Sequence, residues 1–470
     1  MTDLAGRLEQ HHIDVARLLA LAQGGGQLAE VFFERTRSTL CMLEESRVEK
    51  VVSGLDEGLG IRSIFDGHTS YGYSNVLERQ DVEDLARGVG VATGRRFEGE
   101  PPEIRLVRPS LPPWMVGVVP TDRTAVDAKV ALLQRADQAA RRLDGRIRQV
   151  KAVYRDRVQK ILIANSDRLL VNDERLQVVF LVQVVAADGE RIETGYEAVG
   201  GFVGFDFFEN MPPERVAEIA AGRALRSLTA RRAPGGTMPV VLSAEAGGTM
   251  VHEAVGHGLE ADLAGEGLSV YTGRIGEKVA SPLVTVVDDG TMPHRRGSFL
   301  VDDEGTPASR TVLIDRGILK CYLSDRLSGL KGFQAELTGN GRRESYRHKP
   351  IPRMTNTFIA SGQTPPEDII RATPKGLFVR KMGGGEVNTV NGDFVFEVSE
   401  GYIIENGEVG EPVRGATLTG NGPKVLRTID LVGSDLGWSI GTCGKDGQGA
   451  PVSDAQPTLR IPEIIVGGEI

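Results

Sequence analysis

The chain has 470 residues, 40% hydrophobic and 25% charged, which is enough apolar sequence for a large core and excludes wholesale disorder. That length exceeds one ordinary core, so more than one domain is expected. Its 59 glycines keep no three-residue period, excluding a collagen-like chain, and a net charge of −9 with interspersed signs and no basic tract argues against nucleic acid as a partner.

The opening stretch, MTDLAGRLEQHH, lacks the basic-then-apolar pattern of a secretory signal. Leu4, Leu8, Ile13, Leu18 and Leu19 fall near helical spacing and predict one amphipathic helix over residues 3–23. Next come VFFERTRSTLCMLEE and KVVSGLDEGLGIRSIFDGHTSYGYS, whose alternation and Gly/Asp/Asn punctuation predict antiparallel hairpins. A helix is expected at 81–92. Prolines 101, 102, 109, 112, 113 and 120 then make Glu98–Thr121 an extended connection.

Ala125–Leu143 predicts a helix, followed by three strands in QVKAVYRDRVQKILIANS, RLLVNDERLQVVFLVQVVAA and ERIETGYEAVGGF. Pro212-Pro213 introduces a further helix to about residue 231. Helices and strands in this order imply an α+β fold rather than βαβ repetition. APGGTMPV at 233–240 reads as a boundary, giving an N-terminal α/β domain at 1–232 and a mainly β C-terminal domain at 233–470. In the latter, one helix-like segment at 249–263 stands among strands such as PLVTVVDD, RTVLIDRGILKCYLSD, GDFVFEVSEGYIIENGE and LRTIDLVGSDLGW. The longest apolar run, Val178–Ala187, is interrupted by Gln183 and is too short to span a bilayer, so no membrane partner is expected. Three widely spaced cysteines fit a reducing compartment, and the expected location is cytoplasmic.

The most informative segment is TMVHEAVGHGLEAD, with His252, Glu253, His257 and Glu260. In a helical H-E-x-x-H motif two histidines share a face to hold a metal, and the glutamate acts on the attacking water. Here one residue is extra. At about 100° per residue, i+5 falls roughly 140° around a regular helix, so the two imidazoles meet only across a π-type turn or a break. Gly256 would ease either, and the preceding EAGGT lets the backbone pack closely on a neighbour. Candidates for a third ligand are Glu260, Asp262, His294, His348 and the cysteines. Cys41 and Cys321 sit in apolar alternating patterns as core thiols do, whereas Cys443 lies in a glycine-rich loop beside Lys445, which would favour a thiolate.

HEAVGHGLEAD, GNGRRESYRHKPIPRMTNTFI, KMGGGEVNTVNGDFVFEVSEGYIIENGE, PVRGATLTGNGPKVL and TCGKDGQG, in that order, resemble the TldD/PmbA family of metallopeptidases. The likeness is dense from about 240 to 450 and weaker earlier, where GLGIRSIFDGHTSYGYSN is the best block. It implies the metal-bearing TldD branch, with His252, His257 and Cys443 as Zn2+ ligands and Glu253 as catalytic base. It further implies hydrolysis of unfolded or short peptides by a dimer enclosing the site, either a homodimer or a heterodimer with a metal-free paralogue.

Gly383, Gly384 and Gly385 do not form a phosphate loop, because G-x-x-x-x-G-K-[ST] is absent. They could let an extended peptide substrate add to a sheet edge, or simply form a tight turn. Asn391-Gly-Asp and Gly420-Asn-Gly-Pro read as turns. His294, Tyr346 and His348 are possible oxyanion donors, each also suited to a structural hydrogen bond. The alternative function is a non-catalytic peptide-binding or modulatory subunit with a structural metal.

Overall fold

The structure is a computed structural model that describes residues 4–94, 104–112, 115, 117–334 and 336–469. Two helices, α1 (Leu4–Gln10) and α2 (Val15–Gln23), stand where one was expected. His12 takes a left-handed φ of 55°, and Asp14 restarts the helix by accepting from the Arg17 amide at 3.1 Å. A strong N-cap inside an apolar helical pattern won over the periodicity. The connection expected over Glu98–Thr121 lies partly outside the described residues.

The first layer is one antiparallel sheet of unusually long strands. They are β1 (Leu28–Glu44), β2 (Arg47–Phe65), β3 (His68–Ser74), β4 (Ile147–Asn165), β5 (Leu170–Asp188) and β6 (Arg191–Gly201), ordered β3-β2-β1-β4-β5-β6. Alternation decides its two faces. Val31 and Phe33 face α1, α2 and α3 (Arg79–Val91), while Tyr154, Phe180 and Val182 face α4 (Val126–Leu143) and α5 (Pro213–Thr229). The opposite face carries Phe32, Ile161 and Ile163, which pack on Val301 and Tyr346 of the later sequence.

Strands beyond residue 235 form two further large sheets, besides a short pair of Gly341–Arg342 with Ile351–Pro352. In one, β7 (Gly236–Leu242), β11 (Lys375–Val387), β12 (Asp393–Glu405), β14 (Thr417–Asn421) and β17 (Leu459–Gly467) pair in the order β11-β7-β17-β14-β12. A further β11–β12 pairing closes that path into a ring, and β13 (Glu408–Arg414) adds to β12 outside it. The other sheet holds β8 (Val286–Asp289), β9 (Arg310–Asp315), β10 (Asn356–Ile359), β15 (Gly437–Lys445) and β16 (Gln448–Gln456), with β15 at its edge. The later half is not free of helices beyond the 249–263 segment. Arg326–Leu330, Pro366–Arg371 and Gly422–Thr428 are short helices. The last takes in residues expected as a turn at Gly422-Pro423 and as a strand at Leu426–Thr428.

Charges are buried where the first sheet meets the later half. Arg62 Nη2 lies 3.0 Å from Glu30 and 2.5 Å from Glu304, Arg343 also reaches Glu30, and Arg175 bridges Asp173 at 3.1 Å and Asp303 at 2.6 Å. Arg62 and Glu30 are each 1% exposed and Glu304 is 0%, so water cannot replace a lost partner. Truncating Arg62→Ala should destabilise the chain by about 3–5 kcal/mol, because it takes the ion pair from buried Glu304 and leaves Glu30 with Arg343 alone. Urea unfolding of the variant against wild type measures this, and a change within about 0.5 kcal/mol, as at an ordinary surface site, would refute it.

Candidate metal centre

One helical path of changing pitch carries the two histidines. A first turn spans Thr249–Val251, a wide π-type turn His252–Gly256 and a tight turn His257–Leu259; extended Glu260 then ends the path before a short helix at Ala261–Gly265. The wide turn absorbs the extra residue, so side chains five apart return to one face. The His252 and His257 rings meet edge to face, with centroids 5.1 Å apart and planes at 87°. Gly256 has an ordinary helical φ of −55°, so its role is not backbone freedom. A Cβ there would stand 1.9 Å from Met354 Sδ, and one at Gly248 would stand 2.3 Å from the Ala455 amide nitrogen. These glycines seat the path against its neighbours.

Cys443 arrives from β15. Asp446 and Gly447, with φ of 51° and 71°, make the two-residue turn into β16 and set Cys443 opposite Ala450. Its Sγ lies 3.4 Å from His257 Nε2. One donor atom from each of His252, His257 and Cys443 falls within 4.8 Å of the others. A tetrahedral ion with Zn–N near 2.0 Å and Zn–S near 2.3 Å would separate an N and an S donor by about 3.5 Å. The His/His/Cys set therefore fits a metal in both chemistry and spacing.

Burial opposes a charge on Cys443, but hydrogen bonds from His252 and His257 outweigh it and bring the thiol down to about 5. Desolvation likewise opposes charge on the histidines. The Cys443 thiolate raises His252, and Glu260 with the thiolate raises His257 well above the usual histidine value. Lys445 does not act on the thiol as the sequence suggested. Its Nζ is committed to Glu260 Oε2 at 3.0 Å, Asp262 Oδ1 at 2.7 Å and the Pro352 carbonyl at 3.2 Å. Half-buried Glu253 sits on the wide turn, where burial raises its carboxyl and His252 and His257 pull it the other way.

The other third-ligand candidates stand apart from this donor set. Asp262 is held by Lys445, and Glu260 backs His257 Nδ1 at 3.0 Å. His294 is exposed, while His348 Nδ1 lies 3.1 Å from Ser345 Oγ and the Tyr346 hydroxyl donates to Asp56 at 3.0 Å. Cys41 is buried, and burial pushes Cys321 up to about 11. Cys321 lies just beyond the short strand Ile318–Leu319 rather than within a long one. Gly383–Gly385 belong to β11 and not to a tight turn. Met382 pairs with Val398 and Gly385 with Phe396, so Gly383 and Gly384 bulge opposite Glu397. A Cβ at Gly385 would meet Phe396 Cδ1 at 1.9 Å, whereas one at Gly384 would meet nothing within 4 Å.

Sequence reasoning missed Asp454. Its Oδ2 lies 3.8 Å from His252 Nδ1, and its Oδ1 accepts from the Gly248 amide at 3.2 Å and from Ser439 Oγ. It also missed Arg353, which donates to the Cys443 carbonyl and, at 3.2 Å, to that of Gln448. Neither lies near the histidines in sequence; Arg353 falls inside GNGRRESYRHKPIPRMTNTFI, but nothing there marks its role.

An α+β chain with a buried His/His/Cys donor set beside a glutamate defines a candidate metallohydrolase. Models of the PmbA/TldA metallopeptidase match in three parts, domain 1 at residues 29–92, the central domain at 120–228 and the C-terminal domain at 235–468. The chain belongs to this PmbA/TldD family. It is 38% identical over 450 residues to the metalloprotease TldD homolog of Haemophilus influenzae, covering 94% of this chain and 92% of that one. It is 34% identical over 439 residues to a metalloprotease of Methanocaldococcus jannaschii, covering 93% and 96%. The solved TldE of Thermococcus kodakarensis shares the fold with a TM-score of 0.74 at 18% identity, over 99% of this chain and all (100%) of that one. No helix among the described residues is long and apolar enough to cross a membrane.

The metal-free chain should hold Cys443 as thiolate above pH 5 and lose it as pH falls through about 5. Thiolate absorbance near 240 nm, followed against pH for wild type and Cys443→Ser, checks this. Titration near the ordinary thiol value of about 8.5 would refute it.

Proposed function

We propose that the chain is a zinc-dependent peptidase that hydrolyses unfolded or short peptides, with Glu253 as general base. The convergence of His252, His257 and Cys443 on the turn that carries Glu253 supports this reading above all else. A His₂Cys set is borderline-soft and suits zinc, with the fourth position left for water or substrate. When bound, the metal supplies an acidified water and a polarised scissile carbonyl. Glu253 takes a proton from the attacking water and returns it to the leaving amine. Burial keeps Glu253 in a water-poor setting where its raised carboxyl is better matched to that exchange.

The peptide is proposed to lie extended along β11 at Gly383, Gly384 and Gly385. Support comes from the pairing of β11 with β7, which covers only Leu377–Val379, so the later residues have no β7 partner on that edge. Met382 of the same strand packs in the cluster that holds Ala254 and Val255 of the wide turn. A second subunit, either a copy or a metal-free paralogue, is proposed to complete the enclosure. The segment 47–55 of β2 suits such a contact, because β3 pairs only with residues from Leu59 onward. Val48, Val51, Val52 and Leu55 are exposed there on both faces of that edge. Three unpaired cysteines support a cytoplasmic location.

Glu253→Gln should keep about one zinc per chain by elemental analysis and lose peptide turnover by roughly 10²–10⁴-fold. If the metal is purely structural in a modulatory subunit, turnover is absent in wild type as well. Full activity in the variant would remove Glu253 from the mechanism. For the second subunit, Val51→Lys with Val52→Lys should shift the mass by light scattering from dimer to monomer. A dimer that survives both lysines places its interface elsewhere.

A further inference from the structure

The two imidazoles are held unequally. His252 Nδ1 is buried without a hydrogen-bond partner and faces Asp454 only at 3.8 Å. His257 Nδ1, by contrast, meets Glu260 Oε2 at 3.0 Å. Glu260 is 0% exposed, and its Oε2 is shared with Lys445 Nζ at 3.0 Å. Lys445 is anchored in turn on Asp262 at 2.7 Å and on the Pro352 carbonyl at 3.2 Å. Lys445 also lies two residues beyond Cys443 on β15, so both side chains project from the same face of that strand. The clamp thus starts from the strand that delivers one donor and ends on the ring that delivers another.

We propose that Glu260 and Lys445 are positioning residues that lock His257 and Cys443 into one preformed half of the metal site. Glu260 accepts from Nδ1–H of the metal-ready imidazole, which leaves Nε2 as the donor aimed at Cys443 Sγ. Lys445 keeps that carboxylate from turning away and ties it to β15. A metal arriving at the site then meets two clamped donors already 3.4 Å apart, with His252 as the third, whose Nδ1 no hydrogen bond holds. Holding ligands by outer hydrogen bonds commonly changes metal affinity by about 10–100-fold. This inference rests on the metal reading above but not on peptidase activity.

The test is zinc affinity by competition with a chromophoric chelator, on the full chain, for Glu260→Gln, Lys445→Arg and the neutral pair Glu260→Gln with Lys445→Met. Thermal melting of each metal-free form is followed alongside. Glu260→Gln should weaken zinc by about 10–100-fold with little change in the metal-free melt, and Lys445→Arg should stay near wild type. The neutral pair removes the buried Glu260–Lys445 ion pair and leaves only half-exposed Asp262, which water can reach, without its partner, so it should fold and still bind zinc weakly. Wild-type affinity in both Glu260→Gln and the neutral pair would overturn the proposal and leave the peptidase reading standing. Wild type that binds zinc tightly yet cleaves no peptide would overturn the peptidase reading and leave this one. No zinc binding by wild type would sink both.

Discussion

One inserted residue controls the geometry of this site. A regular helix puts residues five apart about 140° from alignment, so the sequence His-Glu-Ala-Val-Gly-His can join its imidazoles only by widening a turn. The structure does this over His252–Gly256 and then tightens over His257–Leu259. A helix of such changing pitch takes its shape from what packs against it. Met354 occupies the space a Gly256 side chain would need, and Gly422 brings another chain segment to within 2.7 Å of the Ala254 carbonyl, measured from an added Cβ. The wide turn is therefore a product of its packing.

The third donor arrives by a different route and depends on strand register. Cys443 lies 186 positions from His257 and faces it because an Asp-Gly turn sets how β15 returns into β16. A slip of one residue would turn the thiol to the other face of the sheet. Arg353 holds the Cys443 carbonyl, and Lys445 on the same strand reaches Glu260 and Asp262. Two imidazoles and one thiol inside a mostly apolar cluster then shift one another, with the thiol down near 5 and both imidazoles raised.

Farther out, the halves meet through charge as well as through apolar contact. Glu30 and Arg62 project from the first sheet into Glu304 and Arg343 of the later sequence, next to the Phe32–Tyr346 cluster. Such pairs add little net stability over an apolar contact, but each mismatch is costly, so they suit a fixed docking of two layers. Strand order within each sheet leaves residues 47–55 of β2, and β15, at the edges.

By itself the sequence determined the α+β class, the long hairpins, the helices at α4 and α5, and a candidate metal-ligand pair with a glutamate between. Those features are local: alternation, helical periodicity, turn dipeptides and the spacing of His252, Glu253 and His257 all act within a few residues. It also marked Cys443 as unlike the other two cysteines. Local rules misread what neighbours decided at His12, where an Asp14 cap splits the first helix, and left Gly383–Gly385 open between a sheet edge and a turn, which the bulged β11–β12 register decided for the strand. Only the tertiary structure assigned Lys445 to Glu260 rather than to the thiol, and Asp454 and Arg353 to the surroundings of the His/His/Cys cluster. Those partners lie tens to hundreds of residues apart, and no short-range pattern records which buried charges will meet once the layers close.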